Sequence, residues 1–357
     1  MGCSGSKPDG SATYSAGAVT LNVPSNSGPR EFIGAHDDMA NCVSAGCEAG
    51  EWLSGAEDKL IALSDWRAGR VVHTWRGHER GVNRVVAAPH VGGALSCSRD
   101  TTVRLWKKGE EAPVKTLRGH DLSVSAIAIA PDGKLALSGS RDSSLRLWDL
   151  ESGTSVTRCH LSRNVVTCLS WVEDEPNLVA QGSEDLRLRI WDVRALSQPA
   201  GLMEGYIYFP LCVATHSHYI LTGSNGFEAN VGCELRLWDR RKLSQVHEMS
   251  GHEQAVSGVA LLPSGGGGGG NGPLLAASGC KDGEVRLWGD LGAAQPQTTA
   301  QMRLPPGSGV TGLAAAKAEE AEGVKLYAST TSGHCHAISA AASGDDLHLV
   351  ATGVAAQ

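Results

Sequence analysis

Few residues of this 357-residue chain stand in a spacing that chemistry demands. His334-Cys335-His336 puts three metal-ligating types in a row. On a strand, alternate side chains face opposite ways, so the two imidazoles share one face and Cys335 takes the other. No further ligand types cluster beside them, and a structural placement is the expectation. The glycine run from Ser264 to Gly272 lacks the Lys-Ser/Thr ending of a phosphate-binding loop and reads as a flexible insertion. Neither GxSxG, HExxH nor a Walker sequence occurs. The ten cysteines include no CxxC pair and suit neither a zinc site nor a disulfide framework. Several (Cys97, Cys168, Cys280) fall in expected buried strands, where a free thiol acts as a small apolar group, and a reducing compartment is expected. The expectation is a chain that is not an enzyme and holds no cofactor or metal.

One covalent chemistry is legible at the N-terminus. MGCSGSK places Gly2 after Met1 and Ser6 downstream, the pattern for N-myristoylation. One myristoyl chain gives only marginal membrane residence, and no polybasic patch follows. Cys3 is therefore the expected second anchor, as a palmitoylation site. Residues 1–27 read as a flexible tail, rich in Ser, Gly, Ala and Asn from residue 8 onward, ahead of one folded domain at 28–357. No apolar stretch of ~18 residues and no secretory segment is present. Net charge is −7 and pI about 6.0, so no basic field favours nucleic acid.

The elements that position these groups repeat. Trp106, Trp148, Trp191, Trp238 and Trp288 each close an L-R-L-W-like triplet, with Trp66 a looser sixth, at intervals of 40 to 50 residues. Gly77-His78, Gly119-His120 and Gly251-His252 precede them, and Ala35-His36 and Cys159-His160 take the equivalent places. A polar turn with Asp58, Asp100, Asp142, Asp185 or Asp282 lies between His and Trp. In the third unit SVSAIAIA alternates as a half-buried strand, PDGK is a turn, and KLALSGS, LRLWDL and TSVTRCH are three further strands. Such a four-stranded sheet cannot bury both faces alone and must stack on neighbours.

The period, Gly-His and Trp-Asp together resemble the WD40 repeat family, which implies an all-β, seven-bladed WD40 β-propeller. The family's hydrogen-bonded tetrad then maps onto His78, Ser96, Asp100 and Trp106; His120, Ser138, Asp142 and Trp148; and His252, Ser278, Asp282 and Trp288. The first blade offers His36, Ser54, Asp58 and Trp66. Gln181 stands for Ser in the fourth, and the fifth lacks both Gly-His and the turn Asp. The seventh has no Trp-Asp, but SGVTGLAAA, VKLYAST and HCHAIS read as strands. REFIGAH and DDLHLVATGV compete to supply its outer strand. Closure either way removes exposed sheet edges.

The resemblance also implies a partner-docking top face formed by residues just before each turn Asp: Glu57, Arg99, Arg141, Glu184 and Lys281. The three cations suggest a locally basic patch for an acidic partner. Trp191-Asp192-Val193-Arg194 and Trp238-Asp239-Arg240-Arg241 resemble the paired W-D-x-R of cullin-4 ubiquitin-ligase substrate receptors, which implies an adaptor contact at Arg194 and Arg241. SRNVVTCLSWV, GSNGF before GCELRLWD, and GHERGVNRV resemble a ciliary branch of the family. That implies a membrane-tethered protein-binding scaffold at the cilium or flagellum, working with small-GTPase regulators, with a ligase receptor or a generic soluble cytoplasmic adaptor as alternatives.

Overall fold

The computed structural model describes residues 35–351, apart from 162–163, 173, 229–230, 264–273, 294–295, 318–323 and 344–345. Gly2, Cys3 and the tail therefore lie outside the described residues. Seven four-stranded antiparallel sheets follow one another. Blade 1 is β1 (Ala40–Ala45), β2 (Glu51–Ala56), β3 (Ile61–Asp65) and β4 (Arg70–Trp75). Blade 2 is β5 (Val82–Ala88), β6 (Gly93–Ser98), β7 (Val103–Lys107) and β8 (Lys115–Leu117). Blade 3 is β9 (Val124–Ile129), β10 (Leu135–Ser140), β11 (Ser144–Asp149) and β12 (Thr154–His160). Blade 4 is β13 (Val166–Trp171), β14 (Leu178–Ser183), β15 (Arg187–Asp192) and β16 (Gly201–Met203). Blade 5 is β17 (Pro210–His216), β18 (Tyr219–Ser224), β19 (Leu235–Asp239) and β20 (Ser244–Met249). Blade 6 is β21 (Val256–Pro263), β22 (Leu274–Cys280), β23 (Glu284–Trp288) and β24 (Thr298–Arg303). Blade 7 is β25 (Val310–Lys317), β26 (Val324–Thr330), β27 (Cys335–Ser343) and β28 (Asp346–Ala351).

Local sequence explains the turns. In blade 3, PDGK reverses the chain with Gly133 at φ 72°, a left-handed conformation that glycine adopts without a Cβ penalty. Its N–H donates to Ala130 O at 2.8 Å, and Lys134 N donates to Asp132 Oδ1 at 3.0 Å. The buried faces of neighbouring blades then meet. Leu137, Leu145 and Leu147 of blade 3 pack with Val166, Trp171 and Val179 of blade 4.

The innermost strands contact one another in ring order, and β25 returns to β1. Each carries a bulge near its start, between Ala40 and Cys42 in blade 1 and at the matching places in the other six. A bulge leaves one residue without a cross-strand partner and re-aims its side chain. In six blades that residue donates to the backbone of the next innermost strand: Asn41 to Val82 O, Asn83 to Val124 O, Ser125 to Val166 O, Thr167 to Pro210 O, Ser257 to Val310 O and Thr311 to Ala40 O. In blade 5 the bulged residue is Leu211, and the thiol of Cys212 reaches Val256 O instead, at 3.3 Å. The circuit is closed. A methyl added at Gly55, Gly139, Gly182, Gly223 or Gly279 would come within 2.4 to 2.9 Å of the first residue of the following blade's innermost strand. Those glycines set how closely the blades approach.

The C-terminal strand β28 pairs with β27, so DDLHLVATGV supplies the outer strand of blade 7 and REFIGAH does not take that place. The first and last blades are each one continuous piece of chain. Their seam is held by Thr311 on Ala40 and by Trp52 stacked on Tyr327, with ring centroids 5.4 Å apart and planes 13° from parallel. Lys325 Nζ lies 4.3 Å from the centroid of the Trp66 ring, a cation–π contact across the same seam.

Candidate interaction faces

The chain enters every blade at one rim, runs outward in four antiparallel strands, and returns to that rim. Loops before the first strand and between the second and third strands thus share an upper face. Loops after the first and third strands share the lower one.

The tetrads pin the upper loops to the sheets. In blade 2 the Trp106 indole donates to Ser96 Oγ at 2.8 Å. Ser96 Oγ lies 2.7 Å from His78 Nε2, and His78 Nδ1 lies 2.7 Å from Asp100 Oδ2. A carboxylate only accepts, so Nδ1 carries the hydrogen and Nε2 accepts from the hydroxyl. Blade 3 repeats this through Trp148, Ser138, His120 and Asp142 at 2.7, 2.7 and 2.9 Å. Burial alone would raise the Asp100 and Asp142 carboxyls. Hydrogen bonds from His78 and Thr102, and from His120 and Ser144, hold them well below the usual range. Burial pushes His78 down, toward the neutral imidazole. With every member satisfied, these Ser-His-Asp sets are crosslinks, not nucleophiles.

Four blades depart from the expected set. In blade 1, His36 bonds Ser54 at 2.8 Å and Asp58 at 3.0 Å, but Trp66 is not the fourth member. Register places Ser64 at the Trp position and Trp52 directly opposite, where blades 2 to 6 carry Ala, Val or Ile, such as Ala94 across from Trp106. The indole has changed strands, and Trp66 serves the seam. In blade 6 Ser278 accepts from Trp288 and meets His252 as expected, but Asp282 does not complete the set. His252 Nδ1 lies 3.4 Å from Glu284 Oε2. Glu284 occupies the place of Thr102 or Ser144, and its longer carboxylate reaches the imidazole first. In blade 4 His160 belongs to outer strand β12 of blade 3, so Cys159-His160 is not a Gly-His equivalent. There Gln181 Oε1 accepts directly from the Trp191 indole at 2.9 Å. Blade 5 uses Gly205-Tyr206 where Gly-His is expected. The Tyr206 hydroxyl lies 2.8 Å from Thr222 Oγ1, in the Ser position. Gly205 has φ 107°, in the left-handed range shared by Gly77 at 154°, and a G-Y pair was the available signal.

A second recurring device escaped the sequence reading. The Arg of L-R-L-W reaches back to the upper loop: Arg104 donates to Gly77 O, Arg146 to Gly119 O and Arg236 to Gly205 O.

The upper ring is sharply defined. Glu57, Arg99, Arg141, Glu184 and Lys281 each donate a backbone N–H to the loop before the innermost strand, to Met39, Gly81, Ser123, Val165 and Ala255. Asn225 and Thr331 make the same bond and complete the ring, though neither was expected. Arg99 is not a free cation, since its Nη2 lies 2.7 Å from Glu57 Oε1. Arg141, Glu184 and Lys281 are exposed and carry no ion pair among the described residues. The same face carries an apolar outcrop on blade 5: Phe227 is 72% exposed and Ile207 65%. Tyr208 props Phe227 edge-on at 5.6 Å.

On the lower face Arg194 and Arg241 follow the third strands of adjacent blades. Both are exposed, and each forks onto the Asp two residues before it, Asp192 or Asp239. The hydrogen bonds from these arginines hold both carboxyls below their usual value. His336 of the HCH run is buried and Ser332 meets His334 at 3.2 Å. Among the described residues no three His, Cys, Asp or Glu side chains gather as a metal site. No helix among them is long and apolar enough to cross a membrane.

A ring of pinned sheets presenting two loop faces defines a protein-interaction scaffold of the β-propeller class. The repeats place it further. Residues 69–107, 111–149, 153–192 and 243–289 match the model described as WD domain, G-beta repeat, so these units belong to the WD40 family and the architecture is a seven-bladed WD40 β-propeller. Each matched unit starts on the outer strand of one blade and ends on the third strand of the next, so the sequence repeat bridges two structural ones.

Proposed function

We propose that this chain is a membrane-tethered scaffold for trafficking proteins at the cilium or flagellum, with partners among small-GTPase regulators docking on the upper face. The observation that carries the docking is the upper ring itself, where unpaired Arg141 and Lys281 share one face with the exposed Phe227 and Ile207 of blade 5. Charge there favours an acidic partner, and buried aromatic anchors dominate such interfaces. The tether rests on Gly2 and Cys3, and the cellular place on resemblance to WD repeat-containing protein 31. That resemblance is carried by stretches of blades 4 and 5, both atypical, together with GHERGVNRV of blade 2. A C-terminally tagged chain should mark cilia or membranes, and Gly2→Ala should make it diffuse. Arg99→Glu with Arg141→Glu should abolish partner capture while leaving the melting temperature in place; capture that persists would refute the upper face as the docking site.

A second reading, a cullin-4 ligase substrate receptor, draws on the exposure of Arg194 and Arg241 on adjacent blades of one face. Adaptor binding that survives Arg194→Ala with Arg241→Ala removes it.

A further inference from the structure

Each upper turn lies against the loop that enters the next blade. A methyl on Gly81 would overlap the Glu57 carboxylate, and one on Gly309 would overlap the Lys281 carbonyl oxygen. By the same repetition the blade 4 turn, with Glu184 and Leu186, adjoins the loop carrying Ile207 and Tyr208. The blade 5 turn that begins at Asn225 adjoins the loop carrying Glu253. The apolar outcrop therefore extends over a sector of two blades, in which Leu186, Ile207, Phe227 and Val231 are all exposed. Among the described residues Leu122 is the only other large apolar side chain exposed on an upper loop. Leu186 holds φ 64° in its turn, where the matching residues of blades 1 to 3 are the polar Lys59, Thr101 and Ser143. A bulky apolar residue in a left-handed conformation with its side chain in water is unfavourable, and such strain gathers at binding surfaces. The outcrop is also braced. Gly232, at φ 71°, admits the Tyr208 ring where a methyl would overlap it. Val231 N donates to Glu228 O at 3.0 Å, and the Cys233 thiol donates to the same oxygen at 3.4 Å. Bracing removes part of the ordering cost of binding. The charge of this sector is opposite to that of Arg141 and Lys281, which stand at its two ends on blades 3 and 6. Glu184, Glu228 and Glu253 are exposed and carry no ion pair among the described residues, whereas Arg187 is neutralised by Glu204 at 2.8 Å. The turns offer few main-chain bonds to an extended peptide, since Glu184 N is spent on Val165 O and Asn225 N on Phe209 O. A helix satisfies its own backbone and is recognised through side chains alone.

We propose that the sector of blades 4 and 5 receives a basic amphipathic helix of the partner, its apolar face on Phe227, Ile207 and Leu186 and its cations against Glu184, Glu228 and Glu253. The inference rests on upper-face docking and deepens it, since acidic groups of the partner meet Arg141 and Lys281 at the ends of the sector. The probe is a dansylated peptide of about 18 residues, five turns of helix, with leucine on one face and lysine on the other. The control is the same peptide with glutamate in place of lysine. Both are titrated with the full chain in physiological salt and followed by fluorescence anisotropy. The leucine–lysine peptide should saturate and bind at least about tenfold tighter than the control. Phe227→Ser with Ile207→Ser should weaken it by about tenfold or more, because two large apolar anchors are lost. The melting temperature should stay in place, since both side chains already stand in water. Glu184→Lys with Glu228→Lys should reverse the preference between the two peptides. Binding unchanged in Phe227→Ser with Ile207→Ser, a wild-type preference for the control, or a preference that survives Glu184→Lys with Glu228→Lys overturns the proposal. If partner capture is nevertheless lost in Arg99→Glu with Arg141→Glu, upper-face docking stands and only the helix is removed.

Discussion

His336 makes the propeller acid-sensitive. It occupies, on β27, the register position that holds Arg104 or Arg146 in other blades. It has no solvent exposure, and neither ring nitrogen has a hydrogen-bond partner among the described residues. Burial, with a smaller push from His334, lowers its pKa from 6.5 to about 4. At pH 7 the imidazole is mostly neutral in the unfolded chain and wholly so in the folded one. Below pH 6.5 the unfolded chain takes up a proton that the folded chain refuses until pH 4. Stability is therefore intact above pH 6.5 and falls as the pH drops through the window between the two values. Integrating that proton difference gives a loss of about 2 kcal/mol between pH 7 and pH 5, and about 3 kcal/mol by pH 4. His336→Leu keeps an apolar side chain of similar reach and removes the titration. Urea unfolding followed by tryptophan fluorescence should show that the variant loses about 2 kcal/mol less than wild type between pH 7 and pH 5. At pH 7 it should be as stable or more stable, since two unpaired buried nitrogens disappear. Equal losses in the two proteins would refute this reasoning, because the buried imidazole would then be protonating without a penalty.

Trp52→Ala should cost about 3–5 kcal/mol, by emptying a fully buried site and removing the stack on Tyr327. Trp52→Ser with Ser64→Trp, which restores the usual strand for the indole, should recover part of that loss in a thermal melt. Gln181→Ala leaves the buried Trp191 N–H without its acceptor and should cost about 1–3 kcal/mol in denaturant unfolding. Thr311→Val removes the bond that closes the inner circuit onto Ala40 and should destabilise by about 1 kcal/mol, with faster amide exchange in β1 and β25 than in β9 and β13.

What the sequence determined by itself is the repeat and the devices built within one repeat. The 18- and 10-residue offsets from His78 to Ser96 to Trp106 recur at His120, Ser138 and Trp148, and both tetrads stand as expected. Strands, turns and these crosslinks are short-range, so local residue types suffice to place them. Tertiary structure decided the rest, because strand pairing and blade packing choose partners that spacing along the chain does not name. A one-strand exchange moved the blade 1 indole from the Trp66 neighbourhood to Trp52. A carboxylate at Glu284, in the place of the Thr102 or Ser144 hydroxyl, redirected His252 away from Asp282. Tyr206 and Thr222 replaced a His-Ser pair that no Gly-His announced. The choice between two terminal segments for the last edge was settled only when β28 paired with β27.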